Sequence, residues 1–338
     1  MTRSKQAERL VRIIDGFPRI TVTVVGDLVA DEFIFGEISR VSREAPVLIL
    51  QHRERALVPG GAGNAVYNLA DLGANVLPVG AVGDDESGRL LLQRFRQKKI
   101  SVSGIVKLKG YTTPTKTRIL AGHTHSSRQQ VVRVDREPGE CEFDAVQIAR
   151  FARECAKASD AVLISDYGYG AATPRILRAI QATKALDGIP VTLDSRHRML
   201  EFAGVTAATP NEPEVEEALG MRIGDEPQIL VAAGEQLMRR MKLDSLVITR
   251  GRDGMVAFVR KHKPVAIPIY GSDQVADVTG AGDTVIAAFT AALAAGAEAE
   301  DAALLANYAG GIVVMKRGTA TVTAGELIHA VQEDATRH

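Results

Sequence analysis

Short apolar runs rich in β-branched residues alternate with helical stretches along most of the chain. This alternation is the strongest constraint on the fold, because it predicts βαβ units in which helices cover both faces of a mostly parallel sheet. The predicted class is therefore α/β. The clearest strand runs are 20–25, 75–79, 161–165, 191–193, 207–209 and 246–249, and the clearest helical runs are 87–97, 174–183, 282–295 and 302–315.

Three segments depart from this alternation. The run 246–249 is followed by a glycine turn and a returning strand at 255–259, which predicts an antiparallel edge. Short strands within about 33–52 and 114–135 predict a small antiparallel β lid over a cleft. An exposed sheet with an apolar face usually pairs with a partner, so the lid also predicts a homodimer interface.

Composition excludes several classes of protein. The 338 residues include 41 basic and 41 acidic side chains, a balance that argues against nucleic acid or an anionic membrane as the main partner. Cys141 and Cys155 are too few for a disulfide scaffold and fit a reducing cytoplasm. Residues 1–17 lack the apolar run of a signal peptide, and 285–295 is too short to span a bilayer. We therefore expect a cytoplasmic chain with one domain over 1–338.

The sequence Asp277-Val278-Thr279-Gly280-Ala281-Gly282-Asp283 leads directly into the predicted helix at 282–295. A helix N-terminus offers unpaired amides and a positive dipole end to an anion. Gly280 and Gly282 let those amides approach a phosphate without a Cβ in the way. Asp283 is either a favourable helix-start residue or a base that takes a proton from an attacking hydroxyl. The glycines and the acid together favour the base.

Polar residues follow several of the predicted strands, where open α/β sheets bind ligands. Asp27 and Asp31 are either turn formers or acceptors for sugar hydroxyls, and Asp166 ends a later strand. Asn211 and Glu214, three residues apart at a helix start, are either an N-cap with a first-turn acid or a support for Mg²⁺-bound water. No G-x-G-x-x-G motif follows the first strand, which argues against a nicotinamide oxidoreductase.

Other candidate residues have equally simple structural explanations. The glycines at 60, 61 and 63 either let a helix pack closely or, with Asn64, line a polyol pocket. Asn307 either walls an adenine pocket or is a tolerated polar residue between helices. His123 and His125 are more typical of a solvated hairpin tip than of a metal site. The basic residues of the lid are either surface charges or a grip for a phosphate already on the substrate; they are Arg40, Lys116, Arg118 and Arg133.

Taken together, the chain resembles a ribokinase-like (PfkB) carbohydrate kinase over essentially its whole length. Residues 277–283 match the family's D-x-T-G-A-G-D signature, and Gly60-Gly61 with Asn64, Asn211-x-x-Glu214 and 249–254 follow in the family's order and spacing. The resemblance implies a three-layer α/β/α fold, ATP and Mg²⁺ as cofactors, and a small sugar as substrate.

The resemblance also implies roles for residues. Asp283 would be the catalytic base, with the amides of Gly280, Ala281 and Gly282 forming an anion hole. Glu214 would support Mg²⁺ through water. The implied substrate-binding residues are Asp27, Asp31, Gly60, Gly61, Asn64, Arg40, Lys116, Arg118, Arg133 and Asp166, and the implied nucleotide-binding residues are Asn211, Glu214, Thr249, Gly251, Gly254 and Asn307.

Within the family, several segments resemble the kinases of ADP-heptose synthesis, which phosphorylate D-glycero-β-D-manno-heptose 7-phosphate at O1. These segments are 26–31, 38–40, 44–47, 115–118, 129–135, 163–170, 277–286 and 316–322. Such kinases occur alone or fused to a nucleotidyltransferase, and an end at His338 is expected of the form that stands alone. Asp194-Ser195-Arg196 departs from their usual Asp-Pro-Lys, and Arg43, Gly63 and Ala65-Val66 also differ.

Two other functions compete with this one. The first is a ribokinase-like kinase for an unphosphorylated sugar or a nucleoside, against which the lid arginines argue. The second is a sugar-binding regulator without catalysis, against which the intact run from Gly280 to Asp283 argues.

Overall fold

The computed structural model describes residues 3–122, 129–139, 145–182, 188–224, 226–271, 277–316 and 318–337. The predictions made for Cys141, His123 and His125 lie outside the described residues. Cys155 is half-buried on a helix and forms no disulfide within the described ranges.

In the described part of the chain, a nine-stranded sheet forms the centre of the molecule. In spatial order its strands are β13 (Val265–Ile267), β12 (Met255–Val259), β11 (Ser245–Thr249), β10 (Ala207–Ala208), β9 (Val191–Ser195), β8 (Ala161–Asp166), β1 (Thr21–Gly26), β4 (Asn75–Gly83) and β5 (Ile105–Leu108). The strands pair in parallel from β11 across to β5, and β12 and β13 add an antiparallel edge, as the sequence predicted.

Helices cover both faces of this sheet, which confirms the three-layer α/β/α prediction. One face packs against α1 (Arg3–Ile14), α2 (Ala62–Asp71), α3 (Glu86–Gln97), α8 (Ala281–Ala294), α9 (Ala299–Val314) and α10 (Ala324–Arg337). The other packs against α4 (Ala145–Ala156), α5 (Pro174–Gln181), α6 (Glu212–Leu219) and α7 (Pro227–Met241). Successive residues of a central strand point to opposite cores: Leu163 joins the first, and Val162 and Ile164 join the second.

A second, four-stranded sheet forms the lid. Its strands β2 (Leu28–Val41), β3 (Leu48–Gly61), β6 (Thr115–Gly122) and β7 (Gln129–Arg136) lie in the order β3-β2-β6-β7. The lid is not fully antiparallel as predicted, because β2 and β6 pair in parallel. Both strands leave the same edge of the main sheet, since β2 continues β1 and β6 follows β5, which runs in the same direction. The lid strands β2 and β3 are also 14 residues long each, far longer than the short strands predicted.

The lid exposes apolar side chains of the kind expected at an interface. Val132 and Val134 share one face of β7, because alternate residues of a strand lie on the same face. The other exposed ones are Val41, Val47, Leu48 and Val131. The homodimer stays a prediction. None of the described helices combines the length and apolar character that a bilayer-spanning helix requires.

Candidate active site

A cleft of about 230 Å³ opens where the lid meets the carboxyl ends of the central strands. Parallel strands end at one edge of the sheet, so residues distant in sequence meet there. The predicted residues that line the cleft are Asp31, Gly61, Lys116, Arg118, Asn211, Glu214, Thr249, Gly280, Gly282 and Asp283. Larger cavities lie beside α7 and beside α1, but no residue of the 277–283 motif lines either of them.

The N-terminus of α8 points its first turn into this cleft. Gly280 caps the helix with a φ of +78°, and a Cβ at this position would overlap with the Nδ2 atom of Asn64. Both conditions require glycine. The amide of Ala281 already donates to the carbonyl of Val278 at 3.2 Å, so it is not available to an anion as predicted. The amides of the next two residues belong to the unpaired first turn.

Asp283 lies at the floor of the cleft and is only 4% exposed. Its Oδ1 accepts a hydrogen bond from the Tyr167 hydroxyl at 2.8 Å, and its Oδ2 accepts one from Asn64 Nδ2 at 3.0 Å. Burial, and then the charge of Asp194, raise the pKa of Asp283 to about 7, although the two hydrogen bonds act in the opposite direction. A carboxylate with this pKa is suited to accept a proton near neutral pH.

Asn64 has a different position from the one predicted. It is buried and, besides holding Asp283, donates to the carbonyl of Gly280 at 3.2 Å. Asn68, one helical turn later, donates to Asn64 Oδ1 at 3.2 Å and so orients the amide with its Nδ2 toward the acid. Asn64 therefore positions the acid and does not line a polyol pocket. The four-residue spacing of the two asparagines was the signal in the sequence that pointed to this pair.

The lid side of the cleft is basic. Arg118 Nη1 lies 2.6 Å from Asp31 Oδ1, and Lys116 Nζ lies 3.3 Å from Asp135 Oδ2. Arg133, on the neighbouring strand, does not line the cleft but forms two hydrogen bonds with Asp135. The structure therefore brings Lys116 and Arg118 to the cleft beside an acceptor, Asp31, which is 5% exposed.

Asp27 does not face the cleft, and its predicted role in sugar binding is contradicted by its surroundings. It is fully buried, and its carboxylate accepts hydrogen bonds from the backbone amides of Tyr167, Tyr169 and Ala171 at 2.8, 3.0 and 2.7 Å. Burial outweighs these bonds and raises the pKa of Asp27 to about 6. The residue therefore anchors the loop that carries Tyr167, because a buried loop needs acceptors for its amides.

Asp166 and Arg40 also lie away from the cleft. Asp166 is 1% exposed and is bound by Arg198, the Ser195 hydroxyl and the Gly168 amide, so it is a structural anchor. Arg40 is exposed and pairs with Ile49 of β3. It lies on β2, seven residues beyond Phe33, and Phe33 is the residue of β2 that pairs with Arg118. At about 3.3 Å a residue, Arg40 lies too far out to reach the cleft from its own lid.

Three glycines and an asparagine predicted to bind substrate or nucleotide have conformational or packing roles. Gly60 lies against the Asp31 carboxylate, where no side chain would fit. Gly254 has a φ of +79° at the turn before β12, and Gly251 has a φ of +54°. Asn307 donates to the Pro268 carbonyl at 2.9 Å and lines a separate cavity beside α1. None of the four lines the cleft.

Asn211 and Glu214 do line the cleft, and the structure also gives them the capping role. The Asn211 side chain accepts from the Glu214 amide, and the Glu214 carboxylate accepts from the Asn211 amide, each at 2.9 Å. The Glu214 carboxylate accepts this capping hydrogen bond through its Oε2 atom. Burial raises the pKa of Glu214, while the bonds and charges around it partly offset that effect.

Sequence reasoning missed four residues of the cleft as functional candidates: Tyr167, Asp194, Arg196 and Thr209. The Arg196 guanidinium carbon lies 4.5 Å from the centroid of the Tyr167 ring. Burial, and then the charge of Glu214, raise the pKa of Asp194 to about 7. Their positions after strand ends were the available signal, but position alone does not separate them from Asp27 or Asp166.

The pfkB family carbohydrate kinase model matches residues 21–324, so the chain belongs to this family of ATP-dependent carbohydrate kinases. It is 42% identical over 313 residues to the bifunctional protein HldE of Geobacter metallireducens, covering 91% of this chain and 62% of the relative. It is 40% identical over 320 residues to the bifunctional protein HldE of Gluconobacter oxydans, covering 93% and 65%. The chain thus spans less than two thirds of the length of these relatives.

Solved structures of other sugar kinases share the fold. Ribokinase of Arabidopsis thaliana, in complex with ribose and ATP, superposes with a TM-score of 0.71 at 20% identity, covering 93% of this chain and 99% of that one. Phosphofructokinase-2 of Escherichia coli, in complex with fructose-6-phosphate, gives 0.74 at 16% identity, covering 93% and 98%.

Proposed function

We propose that the chain transfers the γ-phosphoryl group of ATP to O1 of D-glycero-β-D-manno-heptose 7-phosphate. The observation that carries the proposal is one arrangement: an acid fixed by Asn64 and Tyr167 lies at a helix N-terminus, opposite the basic lid residues Lys116 and Arg118. The relatives named HldE, at about 40% identity, support a heptose as the sugar. The product would enter the synthesis of ADP-heptose for the lipopolysaccharide core.

In this mechanism Asp283 accepts the proton of the sugar hydroxyl while the oxygen attacks the γ-phosphorus in line. The bond between that phosphorus and the β–γ bridging oxygen breaks, and its electron pair leaves with ADP. An anomeric hydroxyl is more acidic than an ordinary alcohol, so a carboxylate with a pKa near 7 is well matched to it. The first-turn amides of α8 offset the charge on the transferring group.

The residues of the cleft suit Mg²⁺ held largely through water. Asp194 and Glu214 are two poorly hydrated carboxylates facing one space, and burial raises the pKa of both. No group of three or more His, Cys, Asp or Glu side chains in the described residues is placed to hold a metal alone, which fits an ion that keeps several waters and phosphate oxygens as ligands. When bound, Mg²⁺ would neutralise part of the phosphate charge.

The sugar is tested by a coupled ADP-release assay with heptose 7-phosphate, hexose phosphates and the corresponding free sugars. We expect heptose 7-phosphate to give the highest kcat/KM. Lys116→Met should lower the preference for the phosphorylated over the free heptose by about 10- to 100-fold, because it removes a charged hydrogen-bond donor. Lys107→Met, at an exposed lysine of β5, is the matched control. Equal turnover of free and phosphorylated sugars by the wild type would contradict the proposal.

The pH dependence tests the base. We expect kcat/KM for the sugar to rise with pH up to about 7 and then level, because only ionised Asp283 accepts the proton. The Tyr167 hydroxyl stabilises that ionised form, so Tyr167→Phe should raise the pKa and move the rising limb to higher pH. Tyr67→Phe, outside the cleft, should leave the limb in place. A limb that moves to lower pH in Tyr167→Phe would contradict this assignment.

A homodimer formed through the outer face of the lid belongs to the same proposal. Val132 and Val134, exposed on one face of β7, support it, because an uncovered apolar sheet face normally finds a partner. Sedimentation equilibrium of the wild-type chain would detect it, and a purely monomeric species at micromolar concentration would contradict it.

A further inference from the structure

Two groups in the cleft have hydrogen-bonding capacity that the protein leaves unused. The Thr209 side-chain oxygen is buried and has no hydrogen-bond partner among the described residues, although Thr209 is 5% exposed and lines the cleft. Leaving a buried hydroxyl without a partner is unfavourable, so native proteins rarely do so without a ligand or water to complete it. The hydroxyl therefore indicates a group that binds beside it.

Arg196 is the second such group. It is exposed at the cleft, and within the described chain its guanidinium forms no ion pair, whereas Arg118 pairs with Asp31 and Arg198 with Asp166. Its guanidinium carbon lies 4.5 Å from the centroid of the Tyr167 ring, whose hydroxyl binds Asp283. A hydrogen bond to Tyr167 leaves most of its five N–H donors unused. A cation placed in this way is held close to the acid without being neutralised by it.

The transferring phosphoryl group is a ligand that suits both Arg196 and Thr209. During transfer, negative charge spreads over the three equatorial oxygens of the phosphoryl group, which passes within reach of Asp283. The lid cations are already paired with Asp31 and Asp135, whereas Arg196 forms no ion pair among the described residues and lines the cleft together with Thr209. A planar guanidinium can donate two parallel bonds to phosphoryl oxygens, and a threonine hydroxyl can donate one.

We propose that Arg196 and Thr209 bind the transferring phosphoryl group, with Arg196 as a catalytic residue of the reaction. The inference rests on the phosphotransfer function proposed above. As the sugar oxygen bonds to phosphorus and the bond to the bridging oxygen of ADP breaks, both side chains donate hydrogen bonds to the equatorial oxygens. Their contact is strongest in the transition state, so it acts on kcat more than on KM.

Thr209→Val separates this role from a structural one. Valine keeps the shape and removes a hydroxyl that has no partner in the protein, so the free protein should have an unchanged or higher Tm. We expect kcat to fall about tenfold at the same time, because one donor to the phosphoryl group is lost. A lower Tm with unchanged kcat would show that the hydroxyl serves the fold, and would overturn this part of the proposal.

Arg196→Ala should lower kcat by about 100-fold or more, with the KM for ATP within about threefold of the wild type. Arg196→Lys should recover only part of the loss, because lysine lacks the planar pair of donors. Arg178→Lys, at an exposed arginine of α5, is the control and should behave as the wild type. A kcat near the wild-type value in Arg196→Ala would overturn the proposal.

Titration calorimetry gives a readout that does not depend on the sugar. ADP with aluminium fluoride mimics the planar phosphoryl group, so Arg196→Ala should weaken its binding by about 100-fold and leave the binding of ADP with Mg²⁺ unchanged. Equal weakening of both would mean that Arg196 only holds the nucleotide or the fold, and would overturn the proposal. If the wild type fails to turn over heptose 7-phosphate but shows the selective loss, the substrate assignment fails and the role of Arg196 stands.

Discussion

Asp283→Asn is expected to lower kcat by about 10³-fold while the enzyme still binds ADP and the sugar. Asparagine fills the same space at the floor of the cleft and can still accept a hydrogen bond from Tyr167, so the site keeps its shape. It cannot accept the proton of the attacking hydroxyl, however. The measurement is a steady-state ADP-release assay, with calorimetric titration of ADP to confirm that the site is intact.

Asp84→Asn provides the matched control. Asp84 is an exposed acid that does not line the cleft, and its contact with Lys107 is a loose one of 3.8 Å. Its replacement should leave kcat unchanged. If Asp283→Asn retained a kcat within a few-fold of the wild type, the base would have to be another group, and Asp194 would be the next to test because it lines the same cleft.

Asp27→Ala is expected to lower the free energy of unfolding by about 3–5 kcal/mol. The change leaves three buried backbone amides of the 167–171 loop without their acceptor. Urea denaturation followed by circular dichroism measures the loss. Asp27→Asn keeps one acceptor oxygen and should cost less than alanine, and Asp15→Ala, at an exposed acid, should cost almost nothing.

The same variant also decides between the two interpretations of Asp27. If Asp27 bound the sugar, Asp27→Ala would raise the KM for the sugar and leave the stability nearly unchanged. Stability loss at wild-type KM, measured at a temperature where the variant remains folded, is the outcome that the buried contacts predict.

Much of the architecture could be predicted because it follows from local patterns. The alternation of apolar strands and helices gave the parallel sheet, and the glycine turn before β12 gave the antiparallel edge. The helix after Gly280 was predicted at about 282–295 and is observed at Ala281–Ala294. The mixed pairing of the lid was missed, since strand direction between β2 and β6 depends on which edge of the main sheet each strand leaves.

The residues of the candidate site could also be predicted only in part. Asp283, Asp31, Lys116 and Arg118 line one cleft, as their positions at a helix start, after a strand end and on a lid strand predicted. Asp27 is only four residues before Asp31, yet its side chain points into the interior and not into the cleft. Nothing in the local sequence distinguishes these two aspartates, since both follow the same strand.

By itself, the sequence determined the fold class and the glycine-capped helix start with its acid, because hydrophobic periodicity and the backbone freedom of glycine act over a few residues. Only the tertiary structure decided which polar groups face one another. Asn64 and Tyr167 reach Asp283 from positions 219 and 116 residues away in sequence, and they hold it through hydrogen bonds of about 3 Å. Such contacts depend on how whole elements pack, and that packing is set by the core and not by the residues that meet in the cleft.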